Sequence, residues 1–296
     1  MSARFAVTLL FCCVSALTSA AQPLGPDSLT IGVYCSQVFP DITIADIEGF
    51  KWPSETGAVV MGSAPESPAS KAGLERFDVI VRMAGKKVER PRDIETILAD
   101  HPPKKKLAVA VFRANFTSTR PQRVKWKRKS FRMTPATLQD FFEANLTGHR
   151  DEVTGLNVIK IKGTTNVVND RTGLVAKVVR DGPKNPSLTL TIKYVADDWL
   201  FVKGLIVSTA RGKATIKPLS MERDNTNTIW EWCTIVANDR PDCMKAIRLL
   251  QSSSNAELLF LGRQYRKEVS LRYDDLLNLR LMVQYYDYLV AKAKAP

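Results

Sequence analysis

The chain has two histidines, His101 and His149, in the polar stretches "ADHPPKKK" and "NLTGHRDE". A Ser-His-Asp system needs one imidazole oriented by a buried acid. Neither stretch offers an apolar frame for one, so both histidines read as surface loop residues. The chain has no Gly-Asp-Ser-Gly-Gly nucleophile motif, no His-x-x-x-His, no paired Cys-x-x-Cys and no glycine-rich phosphate loop. Asp197-Asp198 before Trp199 could hold a cation or act as an acid–base pair, but adjacent carboxylates between strands usually just make a turn. Glu222 and Glu231 are too isolated to serve as paired glycosidase acids. Trp199, Trp230 and Trp232 could stack a sugar, yet their spacing among Leu200, Phe201 and Ile229 fits core or half-core packing better. The expectation is a non-enzymatic chain with no cofactor and no metal, with a hydrolase site in the C-terminal domain, tested at Asp197, Asp198 and Glu231, as the competing reading.

What precedes these residues decides where they work. Arg4 is followed by an apolar run from Phe5 to Leu17, then by small residues through Ala21. This pattern predicts a secretory signal peptide over 1–21, cut after Ala20 or Ala21. The run is short for a membrane anchor, the competing reading. Removing the leader takes one of the 43 basic residues and none of the 30 acidic ones, so the net charge of +13 falls by only one. A basic exported protein meets anionic lipid, cell-wall polymer or acidic protein, and export argues against nucleic acid. Cys35, Cys233 and Cys243 remain after the leader. A Cys233–Cys243 bridge with Cys35 left over, and three buried thiols, are equally open.

The elements that must position a site begin with Gly57-Ala-Val-Val-Met61, an apolar strand. Ser67 to Gly73 gives one helical turn, capped by Ser67, opened by Pro68 and ended by Gly73 in the left-handed region. Asp78 to Met83 is a strand, Ala84-Gly85 a turn, and Lys86 to Val88 continues after it. Pro91 to Asp100 reads as a helix with Ile94, Ile97 and Leu98 on one face. Leu107 to Phe112 and Gln122 to Phe131 make a hairpin. Within the basic 120–132 segment, Lys125, Lys127 and Lys129 alternate with Val124 and Trp126. The alternation favours a solvated strand face over an anchor at an anionic membrane surface.

In this order, "SAPESPASKAGL", "FDVIV", "AGKKV", "PRDIETIL" and "LAVAVFR" resemble the PDZ domain of HtrA-type proteases over residues 28–132. The resemblance implies that Thr30-Ile-Gly-Val33 is the carboxylate-binding loop, with "VFPDITIADIEGFKWPSETGAVV" leading from it to the next strand. A peptide C-terminus or extended segment would then add as a strand beside Val33-Tyr-Cys-Ser36. Thr30, Ile31, Gly32, Val33, Tyr34, Ile94 and Leu98 are the expected peptide-binding residues, with core packing the competing role for Ile94 and Leu98. Two departures stand out. Phe77 occupies a position where the family has Gly, and Ala84-Gly85 replaces Asn-Gly, which predicts that both turns are built differently here. The trypsin-like domain that precedes such a PDZ domain in the family is not seen between the leader and residue 28.

Residues 134–296 read as a second α+β domain with a mainly antiparallel sheet. Thr134 caps a helix running to Asn145. Strands follow at 157–162, 173–179, 187–195, 199–208, 213–216 and 229–235. A helix at 241–250, a hairpin over 257–269 and a long helix over 274–294 close the chain. Leu188 to Tyr194 alternates with period two, as a half-buried strand does. The segments "KYVADDWLFVKGL", "IWEW" and "ELLFLGRQYRKEVSLRYDDLLNL" are similar to a β-rich domain of uncharacterised exported bacterial proteins, which implies no activity. The whole therefore reads as an α+β protein: a PDZ-like, partly open barrel with flanking helices, then a second α+β domain. It is expected in the periplasm or outside a bacterial cell, with protein or peptide C-termini, and an envelope protease, as partners.

Overall fold

The computed structural model describes residues 27–38, 50–116, 124–162, 171–182, 185–225, 228–253 and 255–294. Residues 1–26, where the leader is expected, residues 39–49, and Arg120 and Arg123 of the basic segment lie outside these residues. The chain divides into two compact units that part between Ala144 and Asn145.

The first unit contains β1 (Leu29–Thr30), β2 (Val33–Gln37), β3 (Ala58–Ser63), α1 (Pro68–Lys71), β4 (Val79–Met83), β5 (Lys86–Lys87), α2 (Pro91–Ala99), β6 (Leu107–Phe116), β7 (Val124–Met133), β8 (Ala136–Thr137) and α3 (Leu138–Asn145). An open antiparallel sheet runs β2-β3-β4-β6-β7, with β5 on β4, and a separate two-stranded ribbon joins β1 to β8. Ile31, Val60, Ile80, Met83, Ile94, Leu98 and Val109 belong to one core. Ser67 caps α1 by accepting from the Ser70 N–H at 3.1 Å, Pro68 opens it, and Gly73 follows at φ +82°. Lys125, Lys127, Arg128 and Lys129 are exposed on β7. Trp126 turns the other way, 6.3 Å from Phe50 and 6.0 Å from Trp52, and donates to the Lys51 carbonyl. The solvated-face reading of this strand matches that geometry.

Two expectations fail here. The helix expected from Thr134 begins at Leu138, because Ala136 and Thr137 pair with Thr30 and Leu29. Its capping residue is Thr137, whose hydroxyl accepts from the Asp140 N–H at 3.1 Å. This helix also falls almost wholly in the first unit instead of opening the second. Nor are the Phe77 and Ala84 turns rebuilt. Phe77 sits at φ +72°, Ala84 at +49° and Gly85 at +77°. The two-residue β4–β5 turn therefore keeps the geometry that favours Asn-Gly, with alanine strained in it. Burial fixes the geometry: β4 lies between β3 and β6, so its ends cannot shift to suit one residue.

Arg113 ties this region together. It donates to both Asp78 carboxylate oxygens at 2.7 and 2.6 Å, to Glu75 at 2.6 Å and to the Gly73 carbonyl at 2.7 Å. Its pKa is raised, chiefly by the hydrogen bonds to Asp78. The pair joins β6 to the turn before β4.

The second unit contains β9 (Leu146–Arg150), β10 (Asn157–Ile161), β11 (Gly173–Asp181), β12 (Asn185–Ala196), β13 (Gly204–Thr209), β14 (Gly212–Ile216), β15 (Glu222–Asn225), β16 (Ile229–Val236), α4 (Pro241–Gln251), β17 (Glu257–Leu261), β18 (Arg266–Ser270) and α5 (Tyr273–Lys294). One antiparallel sheet runs β15-β16-β12-β11-β10-β9 and another β14-β13-β17-β18. Helix α4 packs on β14, and α5 on β11 and β12. Leu188, Leu190, Ile192 and Tyr194 are buried at alternate positions of β12, as the period-two pattern predicts. Lys193 between them is buried too, with its ammonium 4.0 Å from the Trp230 ring centre, a cation–π contact. No described helix is long and apolar enough to cross a membrane.

The strand expected at 199–208 starts only at Gly204, and Glu231 accounts for the difference. Its carboxylate is fully buried and accepts from the Leu200, Phe201 and Val202 N–H groups at 2.9, 2.8 and 2.8 Å. Arg223 adds a bond at 3.3 Å. Residues 200–202 wrap this anion, with Phe201 forced to φ +53°, so they cannot join a ladder. Asp198 accepts from the Trp199 N–H at 2.7 Å and serves the same turn. Strands β9 and β15 carry no alternating signal and escape a reading by periodicity. Cys233 and Cys243 are free thiols, so the bridge that the sequence left open is not formed. Burial pushes Cys233 up to about 11 and Cys243 to about 12.

Ala84→Asn should raise the stability of the first unit by about 1 kcal/mol, since Asn tolerates the left-handed region; a shifted urea midpoint with unchanged slope checks this. Glu231→Gln should lower the stability of the second unit by roughly 2–4 kcal/mol, because an amide NH₂ would face N–H donors in a buried site. Tryptophan fluorescence unfolding would read the loss, and an unchanged midpoint would show that the 200–202 turn does not need the charge.

Candidate peptide-binding groove

The site is built around a strand edge. β2 pairs with β3 alone in its sheet, leaving its other edge open among the described residues. The Ala64 N–H donates to the Gly32 carbonyl at 3.0 Å, so Val33 and Ser63 face each other as a non-hydrogen-bonded pair. The Val33 N–H therefore points to the open edge. A bulge follows between Tyr34 and Cys35. The bond from the Val38 N–H to the Gly57 carbonyl sets the same phase for Gln37, and with it Cys35. Three residues of β2 thus offer backbone groups to an incoming strand.

The loop before β2 is held from two sides. The Ile31 carbonyl accepts from the Ala69 N–H of α1 at 3.0 Å, and the Gly32 carbonyl is fixed by Ala64. On the other side the Leu138 N–H donates to the Ser28 carbonyl at 2.9 Å, closing the β1–β8 ribbon. Gly32 has φ +69°, and a Cβ there would lie 2.4 Å from the Ser67 Cβ and 2.7 Å from the Phe141 ring. Glycine is required twice over, by conformation and by contact. Phe141 also forms one wall of an open cavity of about 450 Å³ on the α1 and α3 side of the loop, apart from the β2 edge.

The expected site residues come together, in different roles. Ile31, Ile94 and Leu98 are 1, 5 and 5 % exposed and lie in the core of the unit. Val33 and Cys35 pack against that core from β2. Burial pushes the Cys35 thiol to about 12, although the residue is half-exposed. The sulfur faces the core while the backbone lies at the edge. Tyr34 is half-buried and outside that core. The Thr30 hydroxyl accepts from the Gly32 N–H at 3.0 Å. The β1–β8 ribbon and Phe141 were not identifiable as parts of the site from the sequence. Their only signal is Thr-Leu-Gln-Asp-Phe-Phe after the last strand, which reads equally well as the start of another domain.

The His101 Nε2 lies 3.0 Å from the Lys105 carbonyl in an exposed turn. Among the described residues no cluster of His, Cys, Asp and Glu could hold a metal ion.

No protein-family model matches the chain. It is 35 % identical over 85 residues to a probable periplasmic serine endoprotease, DegP-like, of Brucella suis, covering 29 % of this chain and 16 % of that protein. It is 35 % identical over 66 residues to the magnetosome formation protease MamE of Magnetospirillum gryphiswaldense, covering 22 and 8 %. Among solved structures, the HtrA3 PDZ domain bound to a phage-derived ligand (FGRWV) is similar with a TM-score of 0.27 and 19 % identity, over 37 % of this chain and 86 % of that one. The HtrA-type protease AlgW with a decapeptide gives 0.29 and 19 %, over 37 and 29 %.

Gly32→Ala should destabilise the first unit by roughly 2–4 kcal/mol, combining left-handed strain with overpacking against Ser67. Thermal unfolding followed by circular dichroism checks this; a variant as stable as the parent would mean that the loop and Phe141 are not in tight contact. The sequence relatives share with this chain a stretch of 85 residues or fewer that resembles an HtrA-type PDZ domain, and the chain spans 16 % or less of their length.

Proposed function

We propose that this is an exported, non-enzymatic adaptor whose PDZ domain captures C-termini or extended segments of envelope proteins. The observation that carries this reading is the open edge of β2, with Val33, Cys35 and Gln37 presenting backbone groups directly after the Thr30–Val33 loop. A ligand strand satisfies those groups, and a side chain pressed toward the floor of Ile31, Ile94 and Leu98 gains burial. Export rests on the 1–21 leader, cut after Ala20 or Ala21, and agrees with the periplasmic location in the name of the Brucella relative. The PDZ domain spans about residues 28–132, extended by β8 and α3, and the rest of the chain supplies a second surface or platform.

A second reading has one observation in its favour. The sequence relatives are named as proteases, and the chain matches only a small share of each. Under that reading the protein delivers substrates to, or regulates, a separate envelope protease.

The test is selection of short random peptides with free C-termini, displayed on phage, against the full chain, followed by titration of the synthetic consensus. Binding near the micromolar range, about −8 kcal/mol, is expected. Methylating the peptide N–H groups that face β2 should abolish it. No enrichment, or binding indifferent to N-methylation, would remove strand addition as the mechanism.

A further inference from the structure

The loop that should receive a carboxylate already has one of its donors engaged. In a trans peptide the N–H points opposite to the preceding carbonyl. The Ile31 and Gly32 carbonyls point to Ala69 and Ala64, so the Gly32 and Val33 N–H groups project away from α1 and the β3 end. Successive N–H groups on the outward side of a loop are the kind of donors an anion draws on. Yet the Gly32 N–H is given to the Thr30 hydroxyl at 3.0 Å, a local side-chain bond that competes with any ligand for the same donor. Thr30 is not free to drift, because its backbone is paired with Ala136 in the β1–β8 ribbon.

We propose that Thr30 sets the ligand class of this groove: by holding the Gly32 N–H it removes most of the advantage of a free C-terminal carboxylate, so that internal extended segments bind about as well as C-termini. This rests on the peptide-capture reading above and deepens it. A carboxylate must displace the hydroxyl to gain the Gly32 N–H, trading one hydrogen bond for another. The hydroxyl proton itself stays available to a ligand oxygen, but a neutral donor distinguishes carboxylate from amide carbonyl less than a set of converging N–H groups does. The carbonyl of an internal segment asks for less, since its binding comes from the ladder along β2.

The experiment titrates the full chain with one consensus peptide in free-acid and C-terminal amide forms, for the parent, Thr30→Val and Thr30→Ser. In the parent the two forms should bind within ~3-fold of each other. Thr30→Val frees the Gly32 N–H without changing side-chain shape; it should tighten the acid about 10-fold and leave the amide unchanged. Thr30→Ser keeps the hydroxyl and should behave as the parent. A parent that prefers the acid by about 10-fold or more, or a Thr30→Val ratio equal to that of the parent, overturns the proposal. Should Thr30→Val unfold, the parent ratio and Thr30→Ala decide. If no form binds any variant, peptide capture itself falls, and this inference with it.

Discussion

Gly32 has no room for a side chain, and much of the first unit follows from that. Its backbone touches Ser67 at the start of α1 and the ring of Phe141 in α3. Three segments distant in sequence therefore meet at one residue: the loop before β2, the N-cap of a short helix, and the helix that follows the last strand. Each contact leaves a mark on the loop. Ser67 both caps α1 and abuts Gly32, so the turn that orders α1 also places the Ala69 N–H on the Ile31 carbonyl. Phe141 is buried and sits 5.5 Å from Phe142, which gives the loop a rigid back wall. The loop amides project where they do because the carbonyls are tied on the opposite side.

The open edge of β2 is the complement of that arrangement. An unpaired edge on a sheet is a hazard, and proteins usually blunt it. Here β2 is only five residues long, and the register shift opposite Tyr34 and Cys35 leaves the extra residue, Met61, on β3. The short strand leaves three outward-facing residues, Val33, Cys35 and Gln37, directly after the loop.

The second unit solves its polar problems differently. Glu231 is a buried anion whose partners are three successive backbone N–H groups and one arginine. A buried carboxylate is tolerated only when nearly every acceptor position is filled, and here filling it reshapes the chain from 200 to 202. Lys193 is buried on the neighbouring strand against the Trp230 ring. Glu231 thus holds a turn in place and Trp230 covers a buried ammonium. Asp198 likewise caps the turn before Trp199.

Much of the first unit was legible because its signals are local. Ser67-Pro68 opens a helix and Gly73 ends it, Ile94, Ile97 and Leu98 mark one helix face, and Lys125 to Lys129 alternate on an exposed strand. These depend on residues within a turn or a pleat of one another, and the sequence alone determined them. That position 32 has no room for a side chain is decided by Ser67 and Phe141, which lie far off in sequence. What only the tertiary structure decided is long-range: Ala136 and Thr137 become a strand because Leu29 and Thr30 offer an edge, and 200–202 become a turn because Glu231 arrives from a strand 30 residues away. Phe77 and Ala84 keep left-handed backbones because the sheet on both sides of β4 holds the chain ends in place, at a strain that local propensity would have avoided. Pairing across a sheet and satisfaction of a buried charge are properties of neighbours in space, and a short window of sequence does not contain them.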